Sequence, residues 1–133
     1  MLLIALAILL LAASTTAAQV DTTAKKRLRC PATVKGFIGG ESHHSYLIRA
    51  RKGQILNVQI SWRRADDNHA EFVVSESPNC GAPVAFGKES DEGKRWRGQI
   101  PKAGHYCIYV TGHPTVHYTL RVKIKRQPVQ LGS

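Results

Sequence analysis

From residue 32 onward the chain alternates. "ATVKGFIGG" (32–40) reads as a short strand ending in glycines, "SYLIRARKGQILNVQISW" (45–62) as two strands broken at Lys52 and Gly53, and "AEFVVSES" (70–77) as another. "APVAFG" (82–87) follows a turn signal at Pro78, Asn79, Cys80 and Gly81, and then come "KRWRGQI" (94–100), "GHYCIYV" (104–110) and "VHYTLRVKIK" (116–125). No stretch has a helical period. About eight short strands with turn residues between them predict an all-β protein, an antiparallel β-sandwich or jelly roll, with one domain over 33–126.

Because side chains alternate across a strand, the period also predicts which positions face the core. Leu56, Val58 and Ile60, then Phe72 and Val74, then Tyr106, Ile108 and Val110, and finally Tyr118, Leu120, Val122 and Ile124 each fall on one face. Arg121, Lys123 and Lys125 fall on the other and point to water. In "RGQIPKAGHYCIYV" (97–110) the residues Pro101, Lys102, Ala103 and Gly104 read as a tight turn, with proline pre-setting its φ and glycine tolerating a positive one. The same alternation turns Cys107 outward beside Tyr109.

The first 18 residues, "MLLIALAILLLAASTTAA", are an apolar run closed by small residues. They read as a secretory signal, cut before Gln19, and are short of the roughly 20 apolar residues a membrane span requires. No Lys or Arg precedes the run and no Cys follows it directly. The remaining length suits a single core, with no transmembrane segment in the mature chain. Residues 19–32 are polar and basic without a period and read as a loosely held arm, and 127–133 as a tail. The expected location is the periplasm or the outside of the cell. Three cysteines, Cys30, Cys80 and Cys107, are widely spaced, unlike a zinc site. In an oxidising compartment two of them pair; Cys107 is one, with Cys80 the preferred partner and Cys30 the alternative.

All the Lys and Arg lie in the mature part, so the formal net charge of +10 belongs to it. The blocks are Lys25, Lys26, Arg27 and Arg29 at the front, Lys94, Arg95 and Arg97 in the middle, and Arg121 to Arg126 at the back. Such a balance favours acidic partners: lipid head groups, anionic polysaccharide or a protein with an acidic cleft, with nucleic acid the least suited to an exported chain. Solvation of outward strand positions accounts for the same residues equally well.

Catalytic patterns are missing from the sequence. Ser42, Ser45, Ser61, Ser75, Ser77 and Ser90 are outside any Gly-x-Ser-x-Gly elbow, and the acids Asp66, Asp67, Asp91 and Glu92 fall in turn-like segments. Of six histidines, His43 with His44 and His113 with His117 are the close sets; a spacing of four serves a helix, not a strand. We expect no enzyme, no metal and no cofactor. Trp96, between Arg95 and Arg97, reads as a packing residue first. Trp62 reads equally as packing or as a contact for sugar or protein.

With these residues on the page, the chain resembles the bacterial periplasmic inhibitors of goose-type (g-type) lysozyme, and the wider set of pre-peptidase C-terminal domains that share their sandwich. The matching positions are Gly36, Gly40, Tyr46, Ala50, Gly53 and Gln54 in the front half. Trp96, Gly98, Pro101, Gly104, Tyr106, Ile108 and Val110 match in the back half, and Tyr118 with Leu120 close the pattern, over roughly residues 32–125. The chain departs from it in the short segment "TGHPTVH" (111–117), in His105 where the pattern has an acid, and in its cysteines. The resemblance implies a binding protein whose loops at one end of the sandwich enter the lysozyme cleft and cover its acidic catalytic residue. Candidate contacts, chosen for exposure and chemistry because the family match does not reach them, are Trp62, Arg63, Arg64, Asp66, Asp67 and His69 in one loop and His113, Pro114 and His117 in another. The rival reading is a non-catalytic module that binds anionic glycan or cell envelope through a basic face and exposed Trp. A third is a structural fragment with no ligand of its own.

Overall fold

A computed structural model describes residues 25–40, 42–65 and 67–126. The segments read as a signal sequence (1–18) and a C-terminal tail (127–133) lie outside the described residues, as do 19–24 of the arm and the candidate contact Asp66.

Among the described residues nine strands form two sheets: β1 (Lys26–Arg27), β2 (Ala32–Gly39), β3 (His43–Ala50), β4 (Ile55–Trp62), β5 (His69–Glu76), β6 (Lys88–Ser90), β7 (Arg95–Gln99), β8 (Gly104–His113) and β9 (Thr115–Lys125). One sheet has four strands in the order β1-β3-β8-β5, the other five in the order β2-β9-β4-β7-β6. Every pairing is antiparallel except that of β1 with β3. The fold is the all-β sandwich that the alternation predicts.

The core sits where the period-two pattern puts it. Leu56, Ile60, Tyr106, Ile108, Val110, Leu120 and Val122 are all at most 1% exposed, and Ile38, Ile48, Ile100 and Val116 join them. Burying each such side chain stabilises the fold by about 1.5–3 kcal/mol before the entropic cost of ordering it. Trp96 is buried and so is a packing residue, as its alternation predicts. Gly87 and Gly98 leave the space its indole occupies: a Cβ on Gly98 would come within 2.5 Å of the ring, and one on Gly87 would overlap it. The rival reading therefore loses one of its two exposed tryptophans.

Four expectations need correction. The stretch 97–110 is not a hairpin, because β7 and β8 belong to different sheets. Both edges of β7 are already taken by β4 and β6, so the chain crosses to the other layer, where β8 fills the place between β3 and β5. Gly104 opens β8 without a positive φ. Residues 82–87 are not a strand: only Pro83 makes a bridge, to Ser75, since proline cannot donate to a ladder and Gly87 turns away at φ 91°. The basic arm is held in its second half, with Lys26 and Arg27 paired to β3, Leu28 N–H bonded to Leu47 O at 2.8 Å, and Ala32 already in β2.

Cys107 does lie on the outer face of its strand, yet it is fully buried. The segment after β5 folds back over it and is fastened by the Cys80–Cys107 disulfide, with Cα atoms 5.5 Å apart. Ser75, also fully buried, accepts a hydrogen bond from Gly81 N at 2.9 Å beneath the same segment. The disulfide pairing is thus the one preferred from the sequence, and Cys30 is a free, half-buried thiol. No helix of the described residues is long and apolar enough to cross a membrane.

Candidate interaction site

Strand direction collects four connections at one end of the sandwich: those between β2 and β3, β4 and β5, β6 and β7, and β8 and β9. Both candidate segments are at this end, although His113 ends β8 and His117 lies within β9, so that Pro114 alone connects the two strands. Trp62 ends β4 opposite Tyr118 of β9, and one step further Arg63 N donates to His117 O at 3.1 Å. The β4–β5 loop is closed by Asn68, whose Oδ1 accepts from Ala65 N at 3.1 Å while its Nδ2 donates to Arg63 O at 2.8 Å and Thr115 O at 3.3 Å. Asp67 beside it adopts φ 56°, a left-handed conformation that Asp tolerates better than most residues. Pro114 O accepts from Gly40 N at 2.9 Å, which ties the β2–β3 connection to the same surface.

The side chains follow the backbone. His69 stands edge-on to Trp62 with centroids 5.1 Å apart, lies opposite His113 in register, and contacts Glu71 at 3.2 Å. Lys94, from the β6–β7 turn, puts Nζ 5.4 Å from the centre of the Trp62 ring. Trp62 is half-buried, and its Nε1 is buried with no hydrogen-bond partner among the described residues. A cleft of about 420 Å³ opens here between Trp62, Arg64, Asp67, His69, Glu92 and Lys94. Arg63, Arg64, Asp67, His69, His113, Pro114 and His117 are all exposed.

Two residues of this end escaped the sequence reading. Phe37 is 53% exposed and lies 4.6 Å from His117, centroid to centroid, over a groove of about 630 Å³ that also contains Lys35, Trp62 and Arg63. Its signal was present: Phe37 shares the outward register of β2 with Thr33 and Lys35, where an aromatic side chain has no core to fill. Asn68 was hidden because an amide after two acids reads only as turn composition.

Beneath the loops, Tyr118 joins the two sheets. Its hydroxyl meets that of Tyr46 and lies 2.6 Å from His44 Nδ1. Burial, with a smaller push from His43, lowers the His44 imidazole below its ordinary value, and burial raises the Tyr118 and Tyr46 hydroxyls. With His44 neutral and its proton on Nε2, Tyr46 donates to Tyr118 and Tyr118 donates to His44. Among the described residues no three of His, Cys, Asp and Glu converge as a metal site. What the end offers is aromatic faces, cations and imidazoles on a rigid frame, which is chemistry for gripping a partner.

Among solved structures the chain is similar to PliG of Aeromonas hydrophila, a periplasmic lysozyme inhibitor of g-type lysozyme, with TM-score 0.61 and 24% identity over 76% of this chain and 96% of that one. The fold is shared. It is also similar to the pre-peptidase C-terminal domain of a Bacillus anthracis collagenase (TM-score 0.58, 20% identity, 76% and 96% covered). PliG of Salmonella Typhimurium gives TM-score 0.56 and 21% identity, with 76% and 98% covered. The resemblance read from the sequence is thus borne out in structure for the PliG inhibitors and the pre-peptidase C-terminal sandwich alike. No protein-family model and no curated protein matches the sequence.

Proposed function

We propose that the chain is an exported, non-catalytic protein that blocks a g-type lysozyme with the β4–β5 and β8–β9 loops at one end of its sandwich. The observation that carries this reading is the convergence of the two loops, joined through Arg63 with His117 and Asn68 with Thr115, around the exposed ring of Phe37. Phe37 and Trp62 serve as aromatic anchors, and Arg63, Arg64, Asp67, His69, His113, Pro114 and His117 surround them, with Asp66 in the same loop. The protein's formal charge of +10 speeds its approach to an acidic cleft. Similarity to PliG proteins supports the choice of target, and the Cys80–Cys107 disulfide fits the oxidising compartment to which the leader directs the chain.

The test is a titration of the purified exported protein against a g-type lysozyme clearing a cell suspension at physiological salt, with a chicken-type lysozyme as control. Selective loss of clearing near equal stoichiometry is expected, and Phe37→Ala should weaken it at least about tenfold, as loss of an interface anchor does. Full clearing at large excess would sink the reading for this target.

A further inference from the structure

The outer face of the five-stranded sheet carries its own pattern. Strand pairing aligns Lys123, Asn57, Arg97 and Lys88 in one row, and Arg121, Gln59, Arg95 and Ser90 in the next. Lys125 extends the first wall. In each row a cation stands on either side of an amide, so β4 forms a neutral floor between a β9 wall and a β7 wall, around a cleft of about 370 Å³. Neighbouring strands lie about 4.8 Å apart, which sets the walls roughly 10 Å apart; successive rows lie about 7 Å apart along the strands.

Directly opposed like charges across strands repel, so one pairing on this face is unfavourable without a counter-charge. Lys88 is directly opposite Arg97. Among the described residues the cleft is lined by five cations and no carboxylate, and Asp91 lies 3.8 Å from Arg95. Glu89 is in register with buried Trp96 and so belongs to the opposite face.

We propose that this face binds an acidic polysaccharide lying along β4, with its sulfate, phosphate or carboxylate groups against Arg95, Arg97, Arg121, Lys123 and Lys125 and its hydroxyls on Asn57 and Gln59. The chemistry of the face selects among polyanions. A lipid surface calls for apolar side chains to insert, and among the described residues the cleft exposes none, since Trp96 and Val58 turn into the core beneath it. Single-stranded nucleic acid calls for exposed aromatic platforms between the cations, and none stands there among the described residues. An amide floor between cationic walls matches a chain of hydroxylated sugars bearing regular negative charge. This face is separate from the loop end, so it would hold the protein on an envelope or matrix polymer and leave the loops free.

The experiment measures binding of the purified exported protein to immobilised heparin and to alginate, with dextran, anionic phospholipid vesicles and single-stranded DNA as comparisons, across a salt series. Expected are binding to both acidic polysaccharides that falls steeply with salt, no binding to dextran, and weaker binding to vesicles and DNA. The variant R97Q/K123Q should bind about tenfold more weakly with a salt slope reduced by about two, whereas R63Q/R64Q, which removes equal charge at the loop end, should bind as the parent does. Equal loss in both variants would show an effect of net charge alone and overturn the proposal, as would preference for vesicles or DNA. Unchanged lysozyme inhibition by R97Q/K123Q would show that the variant is folded and that the two surfaces act independently.

Discussion

Tyr118 lies across Gly36, its cross-strand partner on β2: a Cβ on Gly36 would come within 2.5 Å of the tyrosine ring and hydroxyl. The missing side chain leaves room for the ring, which carries its hydroxyl to Tyr46 and His44. Gly36→Ala therefore acts by overpacking. It should cost about 1–3 kcal/mol in a denaturant titration, with an altered tyrosine near-ultraviolet signal. An unchanged midpoint would mean that the ring has free space to move into.

The same tyrosine makes stability depend on pH through His44. The folded chain holds this imidazole below its ordinary value of 6.5, so between the two values the unfolded chain binds the extra proton. The stabilisation is complete above 6.5 and is lost as pH falls through that value toward the lower folded one. Protonated His44 would donate to Tyr118, and the chain of donors running from Tyr46 would have to reverse. His44→Gln should flatten the decline in unfolding midpoint between about pH 7.5 and about pH 5; parallel profiles for the two proteins would exclude His44 as the source.

The core was legible in the sequence because strand period alone decides which of two faces a residue takes, and Leu56, Val58, Ile60, Tyr106 and Tyr118 are where that rule sends them. Pairing was not, because alternation says nothing about which strand lies beside which. The stretch from Arg97 to Val110 has the local grammar of a hairpin, and only competition for the edges of β7 sends it across the sandwich. Cys107 shows the same limit, its outward direction being right and its burial depending on a segment that folds back over it. For the candidate site, polar turns marked the two loops, while their union depends on the long-range bonds of Arg63 to His117 and Asn68 to Thr115.

That folded-back segment gives a prediction about the disulfide. Cys80 and Cys107 are 27 residues apart, and closing a loop of that length stabilises the fold by about 3–4 kcal/mol through the unfolded state. The double variant C80A/C107A should lose most of this in a denaturant titration, and reduction of the parent should give a similar loss. Burial raises the Cys30 thiol and disfavours its thiolate, so exchange with the disulfide should be slow near neutral pH. A loss below about 1 kcal/mol would mean that Ser75 with Gly81 and Val74 with Val84 hold the segment unaided.

Trp62 separates packing from recognition. Its ring closes the end of the core beneath Lys94 and beside His69, so Trp62→Ala should destabilise the protein by about 2–4 kcal/mol, near the range for truncating a large aromatic. Its Nε1–H is buried without a partner among the described residues, and an unsatisfied buried donor carries a cost. Trp62→Phe removes the donor and keeps an aromatic ring, so its stability should stay within about 1 kcal/mol of the parent. If the exposed edge of the indole touches the partner, Trp62→Phe will weaken lysozyme inhibition about tenfold while leaving the unfolding midpoint in place. Loss of stability and inhibition in proportion would instead make Trp62 a packing residue, with recognition resting on Phe37 and the charged loop side chains.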